Sequence, residues 1–195
     1  MSLEIRTYSV LLVSSSSNFT DTMRSMLPQN RYDPVQTVSS VSGANRILSD
    51  QTFDFVIINS PLLDGNGLRL SVDVAAEKNS IPLLLVKNED YTDFFERSVV
   101  HGVYVLSKPL SRATTAVALA WMAASRERLR LSEKKVTSFE DKMTEIRQVN
   151  RAKWLLISEL NMSEPEAHRY IEKQAMDRCV AKRQIADEII RMYMS

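Results

Sequence analysis

The stretch Asp54-Phe55-Val56-Ile57-Ile58-Asn59 decides the fold. Its apolar centre is unbroken and rich in β-branched residues. A strand with one wet face alternates apolar and polar side chains, whereas an unbroken apolar run fits a strand covered on both faces, as in a parallel sheet. Short β-rich runs recur at 10–13, 35–38, 83–86 and 103–106, the second of them interrupted by Gln36 and Thr37. Segments with helical spacing or composition lie between them. Phe19, Met23, Met26 and Leu27 share one face, Ala44, Ile47 and Leu48 share another, and 67–78 and 93–100 fit two more helices. This alternation predicts an α/β domain with a five-stranded, doubly wound parallel sheet. Chemistry in such a sheet belongs at the C-terminal strand ends. Those ends carry Ser14 and Ser15, Asn59, Val86 and Lys108.

Residues 7–125 resemble the receiver domain of bacterial response regulators. The anchors are the stretch 54–59, the Asp64-Gly65-Asn66-Gly67 that follows, and Lys108-Pro109 after the fifth run. The resemblance implies a flavodoxin-like fold. It also implies a cleft in which an acidic pair holds Mg²⁺, an aspartate accepts a phosphoryl group, and a Ser/Thr and a lysine assist. Here Ser14 and Ser15 stand at the acidic pair, Asn59 at the phosphoacceptor, Val86 at the Ser/Thr and Val105 at the usual aromatic switch position, and only Lys108 remains. Mg²⁺ demands a tight octahedron of hard oxygens that serine hydroxyls supply poorly. An asparagine amide is no nucleophile for phosphoryl transfer. The expectation is a receiver-like domain at 1–111 whose phosphorylation site is degenerate, with Lys108 either bonded to the Asn59 carbonyl or solvated.

From 111 to 150 there is no glycine or proline, and helix formers dominate. A heptad frame places Met122, Leu129, Val136, Met143 and Asn150 at a, and Ser125, Ser132, Phe139 and Ile146 at d. In a parallel pair, position g faces e of the partner. Arg128 then meets Glu133 and Lys135 meets Glu140, while Lys142 faces Arg147 unfavourably. The frame predicts a helical coiled-coil linker over 112–150 and a homodimer through Leu129, Val136, Phe139, Met143 and Ile146. A single helix packed on its own first domain is the alternative. The serines at d make the first half of the seam the weaker one, or merge it with the preceding domain.

The last segment, 151–195, reads as a three-helix bundle. Ser163-Glu164-Pro165-Glu166 has the form of a capping box with proline in the first turn. A helix to about Arg178 turns Ala167, Tyr170, Ile171, Gln174 and Ala175 inward, and a break at 179–181 precedes a helix whose stripe is Ile185, Ala186, Ile189 and Ile190. These residues resemble the ANTAR domain, the RNA-binding output module of transcription antiterminators. The resemblance rests on Ala152-Lys153, on Ser163, Glu166 and Ala167, on Ala175-Met176 with Arg178, and on Ile185-Ala186 with Ile189-Ile190. Trp154 departs from it, since the family often has glycine there. The resemblance implies binding to paired stem-loops of a leader transcript. Loop bases are read by stacking and edge hydrogen bonds, with cations on the phosphates. The candidate RNA-binding residues are Arg151, Lys153, Trp154, Lys173, Arg178, Lys182 and Arg183. Tyr170 reads more as core than as a stacking surface.

Charge supports this only faintly. Residues 1–111 carry 9 Lys/Arg against 12 Asp/Glu, 112–150 carry 8 against 5, and 151–195 carry 8 against 7. Cys179 is the one cysteine, so an intrachain disulfide or cysteine-based zinc site is excluded. No apolar run approaches the roughly 20 residues that span a bilayer. With two histidines far apart and four glycines, the chain has no recognisable nucleophile–base pair or phosphate-cradling loop. The expectation is a cytoplasmic, non-enzymatic regulator without a cofactor. Its input would come from a protein on the receiver surface, from a ligand, or from expression level alone. A dimeric helix-turn-helix DNA-binding regulator and a protein-interaction adaptor are the competing readings.

Overall fold

A computed structural model describes residues 6–77 and 80–193. The chain divides into two compact units, Met1–Arg130 and Leu131–Ser195.

In the first unit, β1 (Tyr8–Val13), β2 (Tyr32–Val38), β3 (Phe55–Asn59), β4 (Ile81–Lys87) and β5 (Tyr104–Lys108) form one parallel sheet in the order β2-β1-β3-β4-β5. The helices are α1 (Ser17–Ser25), α2 (Val41–Asp50), α3 (Leu68–Glu77), α4 (Tyr91–Ser98) and the start of α5 (Arg112–Leu160). The third predicted helix ran to Lys78, which lies outside the described residues. Alternation along the strands builds two cores. Leu11, Val13, Val56, Ile58, Leu84 and Val86 face one way, packed with Ala44, Leu48, Val74 and Phe94. Val10, Leu12, Phe55, Ile57, Leu83 and Leu85 face the other, packed with Met23, Leu27, Leu119 and Met122. Two-sided burial is why these strands read as continuous apolar runs. The strand order reverses between β1 and β3, which opens a crevice at their C-terminal ends.

The linker expected to start at 112 begins instead as part of this unit. Met122 is fully buried in its core, and Leu129 packs against the same cluster. The Ser125 hydroxyl lies 2.6 Å from the Tyr104 hydroxyl of β5. Met122 and Leu129 thus pack on the chain's own first unit, in keeping with the expectation that the first half of the seam merges with the preceding domain. A sheet with an uncovered apolar face satisfies these positions within the chain.

An ion cluster fixes the same stretch of α5. The Asp54 carboxylate, at the N-terminal end of β3, accepts from Arg126 Nε at 2.8 Å and Arg130 Nη2 at 2.6 Å. It also accepts from the Ser9 amide at 3.1 Å. Glu127 accepts from Arg6 at 2.7 Å, and the Arg130 guanidinium stands 5.5 Å from the Tyr8 ring centre.

In the second unit, the C-terminal part of α5 packs with α6 (Glu164–Asp177) and α7 (Lys182–Tyr193) around Ala152, Leu156, Ala167, Ile171, Ala175, Ile185, Ala186 and Ile189. Alanines at the contacts let the helices approach closely. The Ser163 amide donates to Glu166 Oε2 at 2.8 Å, which satisfies a donor at the start of α6. The end of α6 is a Schellman turn. The Cys179 amide donates to the Met176 carbonyl at 3.1 Å and the Val180 amide to the Ala175 carbonyl at 3.0 Å, with Cys179 at φ 50°.

Candidate functional sites: the receiver cleft and the three-helix module

The β1/β3 crevice joins Ser14, Asn59 and Lys108 in one hydrogen-bonded chain. Asn59 Nδ2 donates to Ser14 Oγ at 3.0 Å, and Lys108 Nζ donates to Asn59 Oδ1 at 2.9 Å and to the Ser60 carbonyl. Ser14 Oγ also accepts from the Ser16 amide at 3.1 Å. Ser14, Asn59 and Val86 are buried, whereas Ser15 is exposed. Burial, and then the charge of Lys87 beside it, pull the Lys108 ammonium below the usual lysine range. Of the two readings of Lys108, the geometry gives the hydrogen-bonded one.

This arrangement does not fit Mg²⁺. The oxygens that face the crevice from β1 and β3 are neutral, and those of Ser14 and Asn59 are already engaged with each other or with Lys108. The nearby acid, Asp64, is turned to another task. Its carboxylate accepts from the amides of Val41 at 2.7 Å and Ser42 at 2.9 Å, which caps α2. Those bonds, the one from Ser42 first, hold it below the usual carboxylate range. Gly67 closes the same loop at φ 73°, where a Cβ would lie 2.5 Å from Ile58 Cγ2.

The three-helix module presents a mixed surface. Trp154 is 70% exposed and Tyr170 40% exposed, so Tyr170 is not the core residue its apolar context suggested. Ala167, Ile171 and Ala175 occupy the inner line of α6, and Tyr170 stands a quarter-turn away from it. Several named cations are held by carboxylates of the module. Lys153 pairs with Glu164 at 2.9 Å, Arg178 meets both Glu188 oxygens at 2.5 and 2.7 Å, and Lys182 pairs with Glu172. Each acid is pulled below its usual range by that hydrogen bond. Arg151, Lys173 and Arg183 are exposed. Arg183 also lines a polar cleft with Asp141 and Glu145 of α5.

Upstream on α5, Val136, Phe139, Met143 and Ile146 are 53%, 66%, 49% and 52% exposed. Their spacing puts them on one stripe.

The family model of the ANTAR domain matches residues 137–190. These residues are an ANTAR domain. They span the exposed stripe from Phe139 onward, Trp154, and α6 and most of α7. Over 182 residues, covering 93% of this chain and 88% of the relative, the chain is 22% identical to the transcriptional regulatory protein PdtaR of Mycobacterium tuberculosis. The first unit resembles solved receiver domains. One belongs to an HD-domain-containing protein from Pseudomonas fluorescens (TM-score 0.57, 20% identity, covering 67% of this chain and 96% of that one). Another belongs to a sensor histidine kinase from Pseudomonas aeruginosa (TM-score 0.50, 22% identity, covering 60% of this chain and 98% of that one), solved with magnesium coordinated in its active-site cleft. The chain thus joins a receiver-fold unit to an ANTAR domain. No helix among the described residues is long and apolar enough to cross a membrane.

The ion cluster around Asp54 was missed by sequence reasoning. Its signal was a pair of arginines four apart, Arg126 and Arg130, which share a helix face aimed at one acid.

Proposed function

We propose that this chain is a cytoplasmic, non-enzymatic regulator that binds paired stem-loops of leader RNA through its ANTAR domain, as a dimer, without phosphorylation of its receiver unit. The observation that carries this reading is the ANTAR match over 137–190, on a module that exposes Trp154, Tyr170, Arg151 and Lys173. Aromatic faces stack unpaired loop bases and guanidinium and ammonium groups neutralise phosphates. Holding the two stem-loops keeps the transcript from forming a competing terminator hairpin, so polymerase reads through. Lys153, Arg178 and Lys182 serve mainly to tie the module together, since each would have to leave a carboxylate to reach a phosphate.

The dimer seam is assigned to Val136, Phe139, Met143 and Ile146, and each protomer then brings one ANTAR domain to one stem-loop. Four apolar side chains about half exposed along one helical stripe form the narrow seam of a coiled coil. A receiver cleft that lacks carboxylates for Mg²⁺ and a carboxylate to phosphorylate leaves the dimer outside phosphate control.

The test is a binding titration with a two-stem-loop RNA at several salt concentrations. Expected is saturable binding that weakens steeply as salt rises, with duplex DNA of random sequence bound far more weakly. Equal affinity for the DNA contradicts the RNA reading. Incubation with acetyl phosphate and Mg²⁺ is expected to leave the mass unchanged, and a gain of about 80 Da, one phosphoryl group, contradicts the reading of Asn59.

A further inference from the structure

The crevice has changed charge as well as lost carboxylates. Lys108 donates to two acceptors, the Asn59 side-chain oxygen and the Ser60 carbonyl, and both are neutral. Among the described residues no carboxylate pairs with it. An ammonium has three N–H donors, so one remains to be satisfied. In strand register Lys108 stands beside Lys87, whose own charge is answered by Glu89 at 3.3 Å. A crevice of the receiver type, which elsewhere concentrates negative charge around a cation, here carries a single uncompensated positive one.

Lys108 also lines a cavity of about 350 Å³ between α1 and the turn from β5 into α5. Phe19, Met23, Met26 and Leu110 give it an apolar wall, and Ser16, Asn18, Thr22 and Thr115 lie on its polar side. Small-molecule sites are mostly apolar concavities of about 300–1,000 Å³ with a few convergent polar groups. One cation against a wall of phenyl, thioether and isobutyl groups specifies the ligand's chemistry. The head carries a single negative charge, because Lys108 is the one cation among the described residues that line the cavity. The body must be apolar and of about ten heavy atoms or fewer to fit the lower end of that volume range.

We propose that this cavity binds a small amphiphilic carboxylate, its head on Lys108 and its apolar body against Phe19, Met23, Met26 and Leu110. Such a ligand touches α1 and the approach to α5, and so gives the receiver unit an input that needs no phosphoryl chemistry. The proposal is independent of the RNA reading and is tested on the receiver unit within the whole chain.

The experiment is calorimetric titration of the full chain with octanoate, 1-octanol and inorganic phosphate, together with spectra of ¹³C-methyl-labelled methionines. Octanoate is expected to saturate with a Kd on the order of 100 µM, what about ten heavy atoms reach at intermediate ligand efficiency. It should shift the Met23 and Met26 methyls while leaving Met143, Met176 and Met192 in place. Octanol and phosphate should bind at least tenfold more weakly. Lys108→Gln should weaken octanoate about tenfold or more, and Met26→Trp, which fills the cavity at a half-buried position, should abolish binding. No saturation by 10 mM octanoate, about a hundred times the expected Kd, overturns the proposal. So does equal affinity for octanol, stronger binding of phosphate, or unchanged affinity in a folded Lys108→Gln protein. Should Lys108→Gln fail to fold, Met26→Trp and the octanoate–octanol comparison on the unaltered chain decide the matter.

Discussion

Two stretches of α5 follow one heptad frame and meet opposite fates. Between 112 and 130, Leu119, Met122 and Leu129 turn onto the receiver sheet, Arg126 and Arg130 close on Asp54, and Val117 and Trp121 remain exposed. Between 136 and 146, the same frame leaves Val136, Phe139, Met143 and Ile146 uncovered. A period of 3.5 residues says that a helix has an apolar seam. It does not say whether the seam's partner is the chain's own sheet or a second copy. What separates the halves is the presence of a complementary surface within the chain, together with a buried acid that recruits cations to one half only.

Substitutions in each stretch should separate the two fates. Asp54→Ala leaves two guanidinium groups without their carboxylate and should cost about 3–5 kcal/mol of receiver stability, as for removal of one member of a largely buried ion group. Denaturant unfolding checks it, and a loss below about 1 kcal/mol would mean that the cluster does not anchor α5. Met122→Ala opens a hole in a packed core and should cost about 2–4 kcal/mol, with the oligomeric state unchanged by light scattering. Dissociation without destabilisation would return Met122 to a dimer seam. Phe139→Glu should do the reverse. Receiver unfolding should stay where it is while dimer affinity falls about 30-fold or more, the scale of losing a central contact of about 2 kcal/mol. The smallest effect is expected at Cys179→Gly, which relieves a side chain held at φ 50° at the end of α6. It should stabilise the three-helix unit by about 1 kcal/mol and leave the receiver unit's unfolding untouched.

Much of the fold was legible because burial on both faces writes itself as unbroken apolar runs. The central strand Phe55–Asn59 was read to within a residue. The edge strand β2 begins at Tyr32, well before the apolar run at 35–38, because Asp33 and Pro34 on a sheet edge can face water. The cleft was legible because strand ends place Ser14, Asn59 and Lys108 together in any sheet of this order. The ion cluster was not, since Asp54 and its arginines lie 72 and 76 residues apart. On the three-helix module, charge type was legible and charge pairing was not. Nothing local in the sequence says that Lys153, Arg178 and Lys182 are each matched to a glutamate 10 or 11 positions away. Tyr170 misled because an aromatic next to Ile171 looks like core until three neighbours one helical turn apart have claimed the inner line.

An RNA-binding dimer whose receiver unit needs no phosphate can be challenged by titrating one two-stem-loop RNA with two samples of the chain, one untreated and one incubated with acetyl phosphate and Mg²⁺. Saturable binding with the same Kd is expected for both. Absence of saturable binding in both, or a tenfold tightening in the treated sample alone, would contradict it.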